Sequence, residues 1–220
     1  MSKSTINILN STVRNPGITS NDFVMIAFFQ LSVFNHKNKY THDINSDEVR
    51  RSTGLSDKVI NKVFLNLYNQ GYLLNEIGKR SPHKPITVCL NERKFNIKIR
   101  KEDEFFTEMP ILLFNIMKNK LITPPEFRFL YYIQSYINNT NRKFCFCKEE
   151  TIANELGISK PTVIKLHRSL EKKKLLDVTQ HKLEHHDQYD QNDKYDFKKF
   201  NNHYVVRHEN FERLYKKSSK

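Results

Sequence analysis

The sequence predicts an α+β fold that is mostly helical, carries small β-hairpins and is built from two similar halves. Its 220 residues are 38% apolar and include 16 Phe and 10 Tyr, enough for a substantial core. Stretches with apolar residues at helical spacing alternate with short strand-like runs. A weak internal repeat at an offset of 103 residues relates the two halves.

The repeat is carried by residues 46–74 and 149–176, which align without a gap. Gly54 falls on Gly157, Ser56 falls on Ser159, and six further apolar positions coincide. Each copy follows an apolar amphipathic stretch and precedes two strand-like runs, at 72–77 with 85–90 and at 175–179 with 203–207. We therefore predict helices at 20–35, 46–53, 57–70, 124–138, 148–156 and 160–174, with a hairpin after the third and after the sixth.

The predicted domains follow the repeat, with one domain at 1–95 and the other at 105–212. Between them, residues 96–104 belong to a charged stretch without Gly, which we interpret as a linker that becomes a docking strand near Phe105. The second hairpin contains a long polar loop at 180–202. Residues 213–220 form a basic tail.

The segment EETIANELGISKPTVIKLHR (149–168) has small residues where two crossing helices need them. Ala153 suits the close approach of two helix backbones, and Gly157 suits a left-handed turn. Ser159 can accept from the free N–H groups of the next helix, and Pro161 in its first turn sacrifices no helical hydrogen bond. This combination predicts a helix-turn-helix.

The second helix of this motif is basic on its outward face. Six cations (Lys160, Lys165, Arg168, Lys172, Lys173 and Lys174) oppose Glu171 between residues 159 and 174. The outward positions are Ser159, Lys160, Pro161, Ile164, Lys165 and Arg168. Such a helix fits the DNA major groove, where Lys and Arg reach guanine and an apolar side chain meets the thymine methyl group. The alternative is a solvated basic helix in another kind of three-helix protein.

The first copy of the motif gives a weaker signal. Arg50 stands where the second copy has Ala153, and the outward face, which is nearly neutral, comprises Ser56, Asp57, Lys58, Asn61 and Lys62. The hairpin that we expect at 72–90 is tipped by basic residues (Lys79, Arg80, His83 and Lys84), which could follow DNA phosphates or enter the minor groove. We therefore predict DNA contacts here as well, with protein contacts as the alternative.

The layout of 149–176 followed by a hairpin resembles the winged-helix domains of bacterial regulators. The whole chain resembles the tandem winged-helix replication initiators and replisome organisers of plasmids and phages. The segment FFTEMPILLFNIMKNKLITPPEFRFLYYIQSY (105–136) carries this second resemblance, because those proteins place a short strand, a Pro, an apolar pair and a helix before the motif. The resemblance implies DNA contacts by Lys160, Thr162, Lys165 and Arg168, and also by Lys58, Asn61 and Lys62.

Charge and composition favour a nucleic-acid partner. The net charge of +13 indicates a polyanion, either nucleic acid or an anionic membrane surface. The first residues contain no apolar leader, and no apolar run approaches the length of a membrane span. Three Cys give no disulfide framework, as expected in the cytoplasm. We expect a monomer or homodimer that binds double-stranded DNA, with replication or transcription proteins as further partners.

The sequence suggests neither a cofactor nor an enzyme. Cys145 and Cys147 are too closely spaced for an ordinary zinc site, so we expect buried thiols and no metal. No phosphate-binding loop, nucleophile elbow or carboxylate pair in an apolar setting is visible. The main rival from another class is an adaptor that uses the same motifs to bind proteins. RNA binding is disfavoured, because there is no aromatic stacking platform.

Overall fold

A computed structural model describes residues 4–78, 84–98, 104–137, 143–182 and 200–217. The elements run in the order β1 (Thr5–Leu9), α1 (Asn10–Val13), α2 (Ser20–Asn35), β2 (Thr41–Asn45), α3 (Ser46–Thr53), α4 (Asp57–Asn69), β3 (Pro85–Cys89), α5 (Glu92–Phe95), β4 (Phe106–Pro110), α6 (Ile111–Lys118), α7 (Pro124–Ile137), β5 (Cys145–Cys147), α8 (Glu149–Leu156), α9 (Lys160–Lys172), β6 (Leu176–Lys182), β7 (Phe200–Val206) and α10 (Glu209–Lys217). No helix in these ranges is long and apolar enough to cross a membrane.

The six predicted helices are confirmed as α2, α3, α4, α7, α8 and α9, each within two residues of its expected ends. The repeat extends to helix length, because α3 and α8 each have 8 residues and α4 and α9 each have 13. Local signals account for these ends. Gly54 and Gly157 adopt left-handed backbone angles (φ +69° and +65°) directly after α3 and α8, a conformation that glycine accepts without steric cost.

The second predicted hairpin is confirmed and is longer than expected. Strands β6 and β7 pair antiparallel from Leu176 opposite Val206 to Lys182 opposite Phe200. The short strand β5 pairs with the other edge of β7, which gives the strand order β5-β7-β6. The three strands thus form a small sheet in which β5 precedes the α8–α9 pair in the sequence and β6 and β7 follow it. Most of the predicted polar loop, residues 183–199, lies outside the described residues.

The first predicted hairpin is reduced to a single bridge, and its second run pairs along its length with a different strand. The run 85–89 is a strand, but its partner is β2, with Thr41 opposite Cys89. Residues 72–77 form no strand and contribute only the isolated bridge of Leu73 with Leu90. The side chain of Asn75 takes the place of a strand backbone there, since it donates to the Thr87 carbonyl (2.9 Å) and accepts from the Cys89 N–H (2.8 Å).

Strand β4 joins the two halves by pairing antiparallel with β1, so the expected docking strand near Phe105 is confirmed. The ladder runs from Thr5 opposite Pro110 to Leu9 opposite Phe106. Phe23 of α2 packs against Phe127 and Tyr131 of α7, with ring centroids 5.9 and 5.2 Å apart. One continuous apolar core consequently runs through both halves.

A substitution at Ala153 tests whether α8 and α9 cross closely at this residue. It is buried, with 7% of its surface exposed, and belongs to the core. Replacement by Leu should overpack the α8–α9 crossing and cost about 1–3 kcal/mol of unfolding free energy. Thermal or denaturant melts of Ala153→Leu measure this cost.

The control is Arg50→Leu at the equivalent position of α3. Arg50 is exposed and forms an ion pair with Asp47 of its own helix (2.9 Å). We therefore expect a change within about 0.5 kcal/mol for the control, as for other surface positions. Equal melting behaviour of the two variants would contradict the close crossing at Ala153.

Candidate nucleic-acid interface

The helices α8 and α9 meet through a turn that local hydrogen bonds define. The Ile158 N–H donates to the Ala153 carbonyl (2.9 Å), and the Ser159 hydroxyl accepts from the Thr162 N–H (3.4 Å). The hydroxyls of Ser159 and Thr162 are also 2.8 Å apart. Both the N–H and the hydroxyl of Thr162 therefore take part in the N-terminal cap of α9. This restricts the freedom of the Thr162 side chain to bind DNA.

The side of α9 opposite the core presents most of the predicted contact residues. Val163, Leu166 and Leu170 are buried beneath the helix. The exposed positions among the predicted contacts are Ser159, Lys160, Lys165, Arg168 and Lys172, whereas Thr162 and Ile164 are half-buried. Since residues three or four positions apart lie on one face, Lys165, Arg168 and Lys172 form one basic line along the helix.

Lys160 has a different environment from the other cations of α9. Its Nζ forms an ion pair with Glu150 Oε1 and lies 3.7 Å from Glu149 Oε2, both at the start of α8. The hydrogen bond with Glu150 raises the pKa of Lys160. Lys160 thus offsets part of the negative charge at the start of α8. It would have to leave Glu150 to contact a phosphate.

The helix-turn-helix domain family matches residues 120–176. This match covers α7, β5, α8 and α9 and ends at the first residue of β6. Residues 120–176 are thus similar to a helix-turn-helix domain over about a quarter of the chain. No curated protein is significantly similar to the chain. Similarity to a helix-turn-helix domain indicates DNA binding.

A buried carboxylate that the sequence reasoning missed anchors the far end of α9. Glu126 of α7 is 2% exposed and accepts hydrogen bonds from Ser169 Oγ and Lys173 Nζ, both at 2.7 Å. It also caps its own helix by accepting from the Thr123 N–H (2.7 Å). Burial by itself would raise the pKa of Glu126, but the hydrogen bonds from Lys173, Ser169 and Thr123 hold that pKa below its usual value. The pattern Thr123-x-x-Glu126 is a capping-box signature that sequence analysis could have found.

In the first half, α4 presents a mixed surface. Among the predicted contacts, Lys58, Asn61 and Lys62 are exposed, as is the cap residue Ser56. One or two turns further along, Leu65 and Tyr68 are 48% and 38% exposed. These two residues are equivalent to Arg168 and Glu171 of α9. The face of α4 thus carries two lysines and Asp57 at its N-terminal end and becomes apolar towards its C-terminal end.

The predicted hairpin-tip residues are divided between described and undescribed positions. Lys84 is exposed directly before β3. Lys79, Arg80 and His83 lie outside the described residues, so their contribution stays a prediction. Among the described residues, Lys84 is therefore the predicted tip residue whose exposure allows a phosphate contact beside β3.

The thiols Cys145 and Cys147 are buried on one face of β5, as expected for core residues. A hydrogen bond with Cys147, together with burial, raises the pKa of Cys145. Nearby, Tyr132 and Tyr136 both donate to Glu155 Oε2 at 2.8 Å. Within the described ranges, no group of three or more His, Cys, Asp or Glu side chains could hold a metal ion.

Replacing Glu126 by Gln should destabilise the anchor of α9. The neutral amide loses the ion pair with Lys173, and hydrogen bonds to charged groups contribute about 1.5–3 kcal/mol each. The lowered pKa of Glu126 gives the wild type stability that is present above the unfolded-state pKa of about 4.3 and is lost as the pH falls through the folded-state pKa. Denaturant melts at neutral and acidic pH should therefore separate the two proteins near pH 7 and bring them together in acid.

Glu212→Gln is the matched control, because Glu212 is exposed and pairs with Lys216 of the same helix at 3.3 Å. We expect this control to change the unfolding free energy by less than about 0.5 kcal/mol at any pH. A Glu126→Gln variant as stable as this control at pH 7 would contradict the anchoring role.

Proposed function

We propose that the chain binds double-stranded DNA through two tandem winged helix-turn-helix modules and acts in plasmid or phage replication initiation or in transcription regulation. The observation that carries this proposal is the line of Lys165, Arg168 and Lys172 on the exposed side of α9. Lys and Arg at this position of a helix-turn-helix reach guanine acceptors and phosphates in the major groove.

The repeat supports a second module in the first half. Helices α3 and α4 reproduce the lengths and spacing of α8 and α9, and a strand precedes each pair. Strand β3 pairs with β2 as β7 pairs with β5. Lys58 and Lys62 lie at the N-terminal end of α4, the part of such a helix that contacts base edges.

Both biological roles require the same DNA contacts, so they differ in the position of the binding site in the genome. Direct repeats at a replication origin beside the gene would support initiation. A protected site within a divergent promoter would support transcription regulation. Footprinting on the DNA that flanks the gene distinguishes these two outcomes.

An adaptor function is the second candidate, and the exposed Leu65 and Tyr68 favour it. Apolar side chains on a helix surface can dock a protein as well as meet thymine methyl groups. An adaptor would protect no duplex site at moderate salt. A protected duplex of about 20 base pairs, or two half-sites one helical turn apart, supports the DNA-binding proposal instead.

Arg168→Ala tests direct base reading by α9. If Arg168 contacts a guanine, the variant should lose about 1–3 kcal/mol of affinity for a selected site and much less for scrambled duplex. The measurement is a titration of wild type and variant on both duplexes, after selection from a random-sequence library. Melting temperatures should be equal, because an exposed Arg contributes little to stability.

Arg213→Ala provides the control, since it removes the same charge from an exposed position on α10. Its effect should be small and equal on both duplexes. An equal loss on both duplexes for Arg168→Ala would make Arg168 a phosphate contact. No loss at all would remove α9 from the DNA interface and contradict the proposed function.

Lys84→Ala tests the phosphate contacts beside β3. We expect a uniform weakening on all sequences and a salt dependence reduced by about one unit of slope, because one fewer counterion is released. Plots of log affinity against log salt for wild type and variant give this slope. A sequence-dependent loss would instead place Lys84 at a base edge.

A further inference from the structure

Arg128 of α7 connects the first half of the chain to the turn of the second helix-turn-helix. Its side chain is 2% exposed, and its guanidinium donates to the carbonyls of Val13 (3.2 Å), Asn15 (2.7 Å) and Ile18. It also donates to the carbonyl of Leu156 (3.1 Å), the last residue of α8. One buried side chain thus binds both the loop at 13–18 and the start of the turn.

The same loop contacts the turn directly. A β-carbon added to Gly157 would lie 2.5 Å from the carbonyl oxygen of Pro16, closer than non-bonded atoms approach. Any other residue at this position would push the turn away from the loop. Gly157 is therefore required by its left-handed φ and, separately, by the contact with Pro16.

We call the contacts among residues 13–18, Arg128 and Gly157 the joint. A second arginine, from the first half of the chain, adds to them. Arg14 donates from Nε to the Ser135 hydroxyl (3.0 Å) and from a terminal nitrogen to the Ser135 carbonyl (2.8 Å). Its guanidinium also lies 3.7 Å from the centre of the Tyr136 ring. The loop and α7 are thereby held by arginines from both halves.

The joint is connected to both recognition helices by packed structure. The loop leads into α2, whose Phe29 stacks on Phe64 of α4 with ring centroids 6.1 Å apart. On the other side, the turn at Gly157 leads directly into α9. The contacts among residues 13–18, Arg128 and Gly157 thus link α4 to α9, in addition to the β1–β4 ladder and the packing of Phe23 on α7.

We propose that this joint fixes the separation and orientation of the two helix-turn-helix motifs, so that the protein selects DNA by the spacing of two half-sites as well as by their sequence. The inference rests on the proposed two-module function. Arg128 is a positioning residue, because it is buried and acts through the turn. Each added base pair moves one half-site by about 3.4 Å and rotates it by about 35°, which a rigid joint cannot follow.

The test uses the full chain and a duplex selected by that chain from a random-sequence library. Base pairs are removed or inserted between the two protected segments, giving a series of −1, +1, +2 and +5, together with each segment alone. Affinities are measured for wild type, Arg128→Met and Gly157→Ala. Gly71→Ala is the control, since Gly71 has a similar φ of +69° but open space around its β-carbon position.

For wild type we expect a loss of roughly tenfold for one inserted base pair and of about a hundredfold for five, when the second segment no longer faces its module. Arg128→Met should flatten this profile to within roughly threefold at +1 while binding each segment alone as wild type does, and Gly157→Ala should flatten it equally when its affinities are scaled to its own binding of each segment alone. The Gly71→Ala control should keep the wild-type profile. Melting curves show which variants fold, and Gly157→Ala carries the test if Arg128→Met is unfolded.

The outcomes separate the inference from the function on which it rests. A flat wild-type profile with both segments protected would overturn the fixed spacing but leave the two-module function in place. Sharp profiles in both folded variants would show that Arg128 and Gly157 do not set the spacing. Protection of only one segment would contradict the two-module function itself and the fixed spacing with it.

Discussion

The buried guanidinium of Arg128 is the interaction on which the arrangement of the two halves depends. A charge removed from water must be compensated by hydrogen bonds, and here carbonyl groups of two separate segments provide them. Burial lowers the pKa of Arg128 to about 10, so the side chain remains charged at neutral pH. Leu156 ends a helix, so its carbonyl lacks an intrahelical partner and gains one from the guanidinium. One side chain of α7 therefore binds carbonyl groups of both segments.

The repeated helix pairs α3–α4 and α8–α9 are alike in backbone but differ in surface. Gly54 and Gly157 set the same left-handed turn, and the helix lengths agree. The crossing and the exposed face do not agree, because Arg50 stands in place of Ala153 and Leu65 in place of Arg168. Backbone conformation depends on a few special positions, whereas solvent-facing positions are free to vary. A repeat can therefore keep its fold while the two copies acquire different ligand surfaces.

The sequence predicts what short-range physics determines. Helices α3, α4, α8 and α9 follow from glycine turns, capping residues and apolar spacing, all within a few residues of each other. The partner of β3 depends instead on tertiary packing. The side chain of Asn75 forms the hydrogen bonds that a neighbouring strand backbone would form, and the sequence pattern around Asn75 does not reveal this. The contact of Gly157 with Pro16 is equally invisible in the sequence, because it joins residues far apart in the chain.

The sequence predicts which residues of α9 share its outward face. It does not predict which neighbours each of those side chains contacts. Helical periodicity places Lys160 beside Lys165 and Arg168 on the outside of α9. It contains no information on the preceding helix, whose Glu149 and Glu150 pair with Lys160. A lone Arg within the apolar sequence of α7 was a signal for a buried charge, but its partners are carbonyls that have no sequence signature.

Ion pairs at the two ends of α9 distinguish its terminal cations from its central ones. A positive side chain at a helix N-terminus opposes the helix dipole, and the carboxylates of α8 offset this cost at Lys160. Beyond the C-terminal end of the helix, Lys173 is bound by Glu126 from beneath. Between these ends, Lys165 and Arg168 are exposed and form no ion pair with any residue in the described part of the chain. The helix is therefore fixed by carboxylates at its ends, and in the proposed function its exposed central cations are the ones that meet phosphates and base edges.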